Sequence, residues 1–142
     1  MARSSYGRDG LVFNLSLDGA ETPPLRELRH STRRTLAHLD EECAEDAELL
    51  VTELVSNAYD HGHPPVGFRL CLVPDSPVLR IEVEDGDRAN LPQLGASRLG
   101  GERGRGLVLV DQLSLDWGFN VTTTGKVVWV DLSCRGSSLV GS

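Results

Sequence analysis

The sequence predicts an α/β (α+β) two-layer sandwich, a mixed, mostly antiparallel sheet with helices on one face. Three observations carry this. Period-2 alternation recurs in short segments: Leu11–Leu17, Val66–Val73, Val78–Val83, about Asp116–Thr122, and Lys126–Ser133. Two helical stretches lie between the first and second of these segments, and a third lies before the last two. The turns Pro74-Asp75-Ser76-Pro77 and Thr123-Thr124-Gly125 are short enough to join strands as hairpins. The order β-α-α-β-β-loop-α-β-β lets one layer of helices cover one sheet face.

The elements follow in order. Leu11, Phe13, Leu15 and Leu17 share one face of the first strand. Thr22 before Pro23-Pro24 reads as a helix start with a cap and an early proline. Leu25–Leu39 is basic and amphipathic, with Leu25, Leu28, Leu36 and Leu39 apolar. Arg26, Arg29, Arg33 and Arg34 give it a charged face, read as solvated ahead of a docking face for an acidic partner. Asp40 to Glu45 is an acidic loop or cap. Asp46–His61 is the strongest helix, stopped by Gly62 and His63-Pro64-Pro65. In Val78–Val83, Leu79, Ile81 and Val83 oppose Val78, Arg80 and Glu82. Arg88–Gly104 is a long, glycine-rich, apolar-poor loop, and loops of that length in a compact domain usually serve a function. Gly106–Leu115 is a short helix. Trp117 and Trp129 are expected in the core.

Composition narrows the class. At 142 residues the chain is one domain that needs no metal or disulfide staple. With 39% hydrophobic and 25% charged residues it is globular. Fourteen basic against 21 acidic residues, net −7, argue against direct nucleic-acid binding. The longest apolar runs have four residues, far short of the roughly 18 of a membrane span, and Asp9, Asn14 and Ser16 interrupt any signal-peptide core. Cys43, Cys71 and Cys134 are far apart, lack CxxC spacing, and read as buried, reduced thiols of a cytoplasmic protein. His61 and His63 lack further ligands at zinc spacing.

Three features could carry chemistry. Glu53 and Asn57 are four apart on the long helix and share a face, with Leu49 one turn above and His61 one turn below. Asn can offer Mg2+ a neutral oxygen, and Glu can take a proton from a hydroxyl. Taken alone, a solvated helix face explains them better. Asp85 ends an alternating strand and precedes Gly86. Such an Asp can accept from an exocyclic amine while the glycine lets backbone approach a base, although, taken alone, an Asp-Gly turn explains it better. Gly100 to Leu107 runs into a helix, and glycines there present N–H groups to phosphate beside the Arg105 guanidinium. The stretch is neither a P-loop nor a Rossmann fingerprint. Five of the 15 glycines fall within Gly95–Gly106.

The three features occur in the order one nucleotide pocket needs. With them the chain, from about Leu25 to Leu132, resembles the GHKL (Bergerat-fold) ATPases. It is most similar to small actinobacterial ATP-binding proteins of the anti-sigma-factor serine/threonine kinase type. The matching text is Glu53-Leu-Val-Ser-Asn57-Ala-Tyr-Asp-His61-Gly62, Ile81-Glu-Val-Glu-Asp85, Gly104-Arg-Gly-Leu-Val-Leu-Val110 with Trp117-Gly118, and Gly125-Lys-Val-Val-Trp129.

The resemblance implies a Bergerat fold, a histidine-kinase-like ATPase domain over 11–134, and flexible termini at 1–10 and 135–142. It implies ATP with Mg2+ as cofactors. Glu53 would be the general base and Asn57 the Mg2+ ligand. Asp85, followed by Gly86, would read the adenine amine, and His61 belongs to the same binding motif. Arg88 to Arg103 would be a lid, with Gly104, Arg105, Gly106 and Leu107 cradling phosphate. The implied partners are a STAS-type anti-anti-sigma protein, a sigma factor, and a second copy in a homodimer.

Two departures stand out. Asp87 and Ala89 replace later glycines of the family's D-x-G-x-G, and Val127 replaces a threonine that supports the adenine pocket. They motivate an alternative, a nucleotide-sensing or degenerate binding module that regulates a partner without phosphoryl transfer. A fragment of phosphatase or histidine-kinase type is a weaker third reading, because no dimerisation-helix histidine segment precedes the domain.

Overall fold

The computed structural model describes residues 11–64, 66–73, 76–89 and 110–134. The expected lid from Asn90 onward, the segment Gly104–Leu107 and both termini lie outside the described residues. Seven elements are described: β1 (Leu11–Ser16), α1 (Leu25–Thr35), α2 (Glu41–His61), β2 (Gly67–Leu72), β3 (Val78–Asp85), β4 (Asp116–Val121) and β5 (Lys126–Ser133). Of the expected third helix, residues 110–113 are helical.

The strands form one sheet in the order β1-β2-β3-β5-β4. All four pairings are antiparallel. Alternation decides which face is buried. Phe68 and Leu70 of β2, Leu79, Ile81 and Val83 of β3, and Val128, Val130 and Leu132 of β5 point to the helices. They meet Leu28 of α1 and Leu50, Val51, Leu54, Val55 and Ala58 of α2 in one core. Each large side chain there contributes about 1.5–3 kcal/mol by leaving water.

The other sheet face is closed by charge pairs. Arg80 makes two bonds to Asp131, at 2.7 and 2.9 Å, and lies 4.1 Å from the Trp129 ring centroid. Arg69 bridges Glu82 and Glu84 at 2.9 and 3.1 Å. Trp129 is therefore half-buried under a guanidinium on the outer face, and the expectation that it lies in the core is corrected. Trp117, partly buried, does pack against the core.

Helix boundaries differ from expectation where side chains decide them. Asp40 caps α2, its carboxylate accepting from the Cys43 N–H at 2.6 Å, so the helix starts at Glu41 and not at Asp46. The acidic run is its first turn, which the helix dipole favours. Pro24, not Thr22, precedes α1, and no side chain caps that helix. Arg33 binds Glu41 and Glu48 at 2.7 and 2.9 Å, and Arg29 donates to Thr52 at 3.3 Å. Part of the basic face thus serves to dock α1 on α2.

The cysteine expectation is also corrected. Cys43 and Cys134, 91 residues apart, form a disulfide with Cα atoms 5.1 Å apart. Packing of the α2 start against the end of β5 brings them together, which sequence distance does not reveal. Cys71 remains a buried thiol on the outer face. Burial first, then Glu82, pushes its pKa up to about 11, with Arg69 and Arg80 opposing. It is a poor nucleophile at neutral pH.

Candidate functional site

The 21-residue helix α2 carries the first part of the site. Leu50, Leu54 and Ala58 are buried on the sheet, and the neighbouring stripe holds Glu53, Asn57 and His61. Glu53 lines an open groove of 680 Å3 between α1 and α2, shared with Arg29, Arg33, Glu45, Glu48, Leu49 and Thr52. Asn57 is only 7% exposed. His61 has a buried Nε2 with no hydrogen-bond partner among the described residues. A buried polar atom lacking a described partner is unusual inside a protein, because burial without a hydrogen bond costs about 1–3 kcal/mol.

The second part sits where β3 ends. Gly62 closes α2, its N–H bonded to the Ala58 carbonyl at 2.8 Å. A Cβ on Gly62 would stand 2.6 Å from both Cγ and Oδ2 of Asp85, so the absence of a side chain lets helix and carboxylate meet. Gly86 donates to the His63 carbonyl at 2.7 Å, tying the loop after the helix to the strand end. The fold therefore brings Asn57, His61, Gly62, Asp85 and Gly86 to one end of the helix–sheet interface, with Glu53 further up the same helix.

Asp85 is 3% exposed. Its Oδ1 accepts from the Asp87 N–H at 2.8 Å and from Lys126 Nζ at 3.0 Å. Lys126 also donates to the Asp87 carbonyl at 3.3 Å. Asp87 Oδ1 in turn accepts from the Ala89 N–H at 2.8 Å, and its Oδ2 lies 3.6 Å from His63 Nε2. Where glycines were expected, two successive side-chain turns thus hold the start of the loop. Arg88 adds a bond to the Thr122 carbonyl at 2.7 Å.

Lys126 and Asp87 were not among the candidate site residues. Alternation holds a signal for Lys126, because it falls on the same strand face as Val128, Val130 and Leu132, where a charge must find a partner. The same alternation corrects the expectation for Val127. Val127 pairs with Glu84 on the outer face, whereas Lys126 pairs with Asp85 on the helix face. The residue that bonds Asp85 from β5 is Lys126, and Val127 stands on the other face of the sheet.

Asn57 offers one neutral oxygen, and among the described residues no group of three or more His, Cys, Asp or Glu could hold an ion unaided. No described helix is long and apolar enough to cross a membrane.

Comparison with known proteins agrees with this architecture. A crystal structure of the RsbU and RsbW domains of Rv1364c from Mycobacterium tuberculosis superposes with a TM-score of 0.60 at 18% identity, over 87% of this chain and 33% of that one. The histidine kinase domain of the blue-light-activated histidine kinase of Erythrobacter litoralis superposes with a TM-score of 0.50 at 21% identity, over 77% of this chain and 58% of that one. The chain thus spans about a third and under two-thirds of these two structures, and the likeness is one of fold. No curated protein shows significant similarity to the sequence. The model of the histidine kinase-like ATPase domain matches residues 20–132, from before α1 to within one residue of the end of β5. That stretch includes both parts of the site, and the chain belongs to the histidine kinase-like ATPase domain family, within the GHKL superfamily.

Proposed function

We propose that the protein is a cytoplasmic, ATP-binding regulator of the anti-sigma-factor type, acting as a Mg2+-ATP-dependent protein serine/threonine kinase on a STAS-type anti-anti-sigma partner. The observation that carries this is the close approach of Gly62, at the end of the helix that bears Glu53, Asn57 and His61, to Asp85. The RsbW domain in one similar structure supports the choice of regulatory class.

Asp85 accepts the adenine amine, and Gly86 allows the ring to approach. Asn57 would hold Mg2+, which when bound neutralises charge on the phosphate oxygens. Glu53 takes the proton of the attacking serine hydroxyl. That oxygen bonds to the γ-phosphorus while the bond from phosphorus to the β–γ bridging oxygen breaks, and ADP leaves with the electron pair. Gly104, Arg105, Gly106 and Leu107 are assigned to the phosphates from the sequence pattern alone. A sigma factor bound by the same domain and a homodimeric state complete the reading.

Incubation with radiolabelled ATP and a STAS-type partner tests it. The wild type should label the partner, and Glu53→Ala should lower the rate by about 100-fold or more. Equal transfer by the variant would reject Glu53 as the base. Calorimetry distinguishes a non-catalytic binding module, which would take up ATP yet never label a partner.

A further inference from the structure

We propose that Lys126 is a positioning residue that fixes Asp85 to select purine nucleotides bearing an exocyclic amine. This rests on the nucleotide-binding reading above. Asp85 and Lys126 stand directly opposite each other, at the end of β3 and the start of β5. Each is 3% exposed. A buried ammonium is costly, and an apolar residue among Val128, Val130 and Leu132 would serve packing as well. The geometry shows what the charge does. Lys126 Nζ at 3.0 Å and the Asp87 N–H at 2.8 Å both engage Oδ1 of Asp85. The second ammonium bond, to the Asp87 carbonyl at 3.3 Å, holds Nζ in place.

Two donors on one oxygen set the carboxylate's rotation. Oδ2 accepts nothing from the described residues and packs against Gly62, where a Cβ would come within 2.6 Å of it. It is therefore a single acceptor of fixed direction, suited to one N–H of an amine. Without Lys126, Oδ1 keeps only the backbone donor, and the carboxylate can turn or shift. An acceptor so released no longer distinguishes a ligand with the amine from one without it.

The test compares ATP with purine riboside triphosphate, which lacks the 6-amino group, by calorimetry with Mg2+. The wild type should prefer ATP by about 10–100-fold, the cost of leaving a buried acceptor unpaired. Lys126→Met should bring that preference to within about threefold of unity, mainly through weaker ATP binding. Lys126→Gln keeps an N–H donor and should retain an intermediate preference. It also serves if the methionine variant does not fold. A purely structural lysine would lower the melting temperature and weaken both ligands alike, leaving the preference intact. Full wild-type preference in a folded Lys126 variant overturns the proposal while the nucleotide-binding reading stands. Binding of neither triphosphate by the wild type removes both.

Discussion

A methyl group at Gly125 would land on the carbonyl oxygen of Asp85 and stand 2.8 Å from the Gly86 Cα. Those neighbours are backbone and cannot swing aside. Gly125→Ala should therefore destabilise the protein by about 3 kcal/mol or more, through displacement of the β3 end. Urea unfolding monitored by circular dichroism measures it, and an effect below about 1 kcal/mol would mean the hairpin yields easily. At this scale the site was partly legible. Glu53, Asn57 and Asp85 stand out by residue type and spacing. Lys126 was harder to see, because an ion pair becomes visible only when the register sets two residues 41 positions apart against each other.

Helix α2 illustrates the scale of the element. Its apolar stripe is plain in the sequence, but it starts five residues before Asp46, because Asp40 reads equally well as a loop or a cap until its carboxylate is seen on the Cys43 N–H. The same acidic turn burdens Asp46. Partial burial first, then Glu42, Glu45 and Asp40, raise its pKa above the usual carboxylate value. The folded state thus disfavours the charge. Asp46→Asn should stabilise the protein at pH 7 by about 0.5 kcal/mol, a modest figure because much of the group remains in water. The gain should shrink as the pH falls through the raised pKa and vanish below the unfolded value near 3.9, where both states are neutral. Thermal unfolding of the two proteins from pH 7 to pH 3 checks the sign. A gain that persists at pH 3 would point to helix propensity and not to charge.

Across the whole molecule, the Cys43–Cys134 bridge joins the start of α2, the helix bearing Glu53 and Asn57, to the end of β5, the strand bearing Lys126. Closing a loop of 91 residues restricts the unfolded chain by about 4–5 kcal/mol in the chain-entropy account. Reduction should lower the melting temperature by several degrees or more, and Cys43→Ser should reproduce the loss and abolish the response to reductant. Equal melting temperatures with and without reductant would show that the bridge contributes nothing in solution. In a reducing cytoplasm the two residues would stand as thiols, so the stability measured with reductant is the one that applies there.

The strands, the long helix, the one-sided helical layer and the family's motifs were all determined by the sequence itself, because they depend on local periodicity, turn chemistry and residue spacing. Tertiary structure alone decided which residues meet. Trp129 went to the outer face beneath Arg80, Val127 turned away from the site, Cys43 found Cys134, and Lys126 closed on Asp85. Alternation along β5 sets which face each of its residues takes, but which partner each one meets depends on register or on packing between distant segments, and no local pattern encodes a distance across the fold.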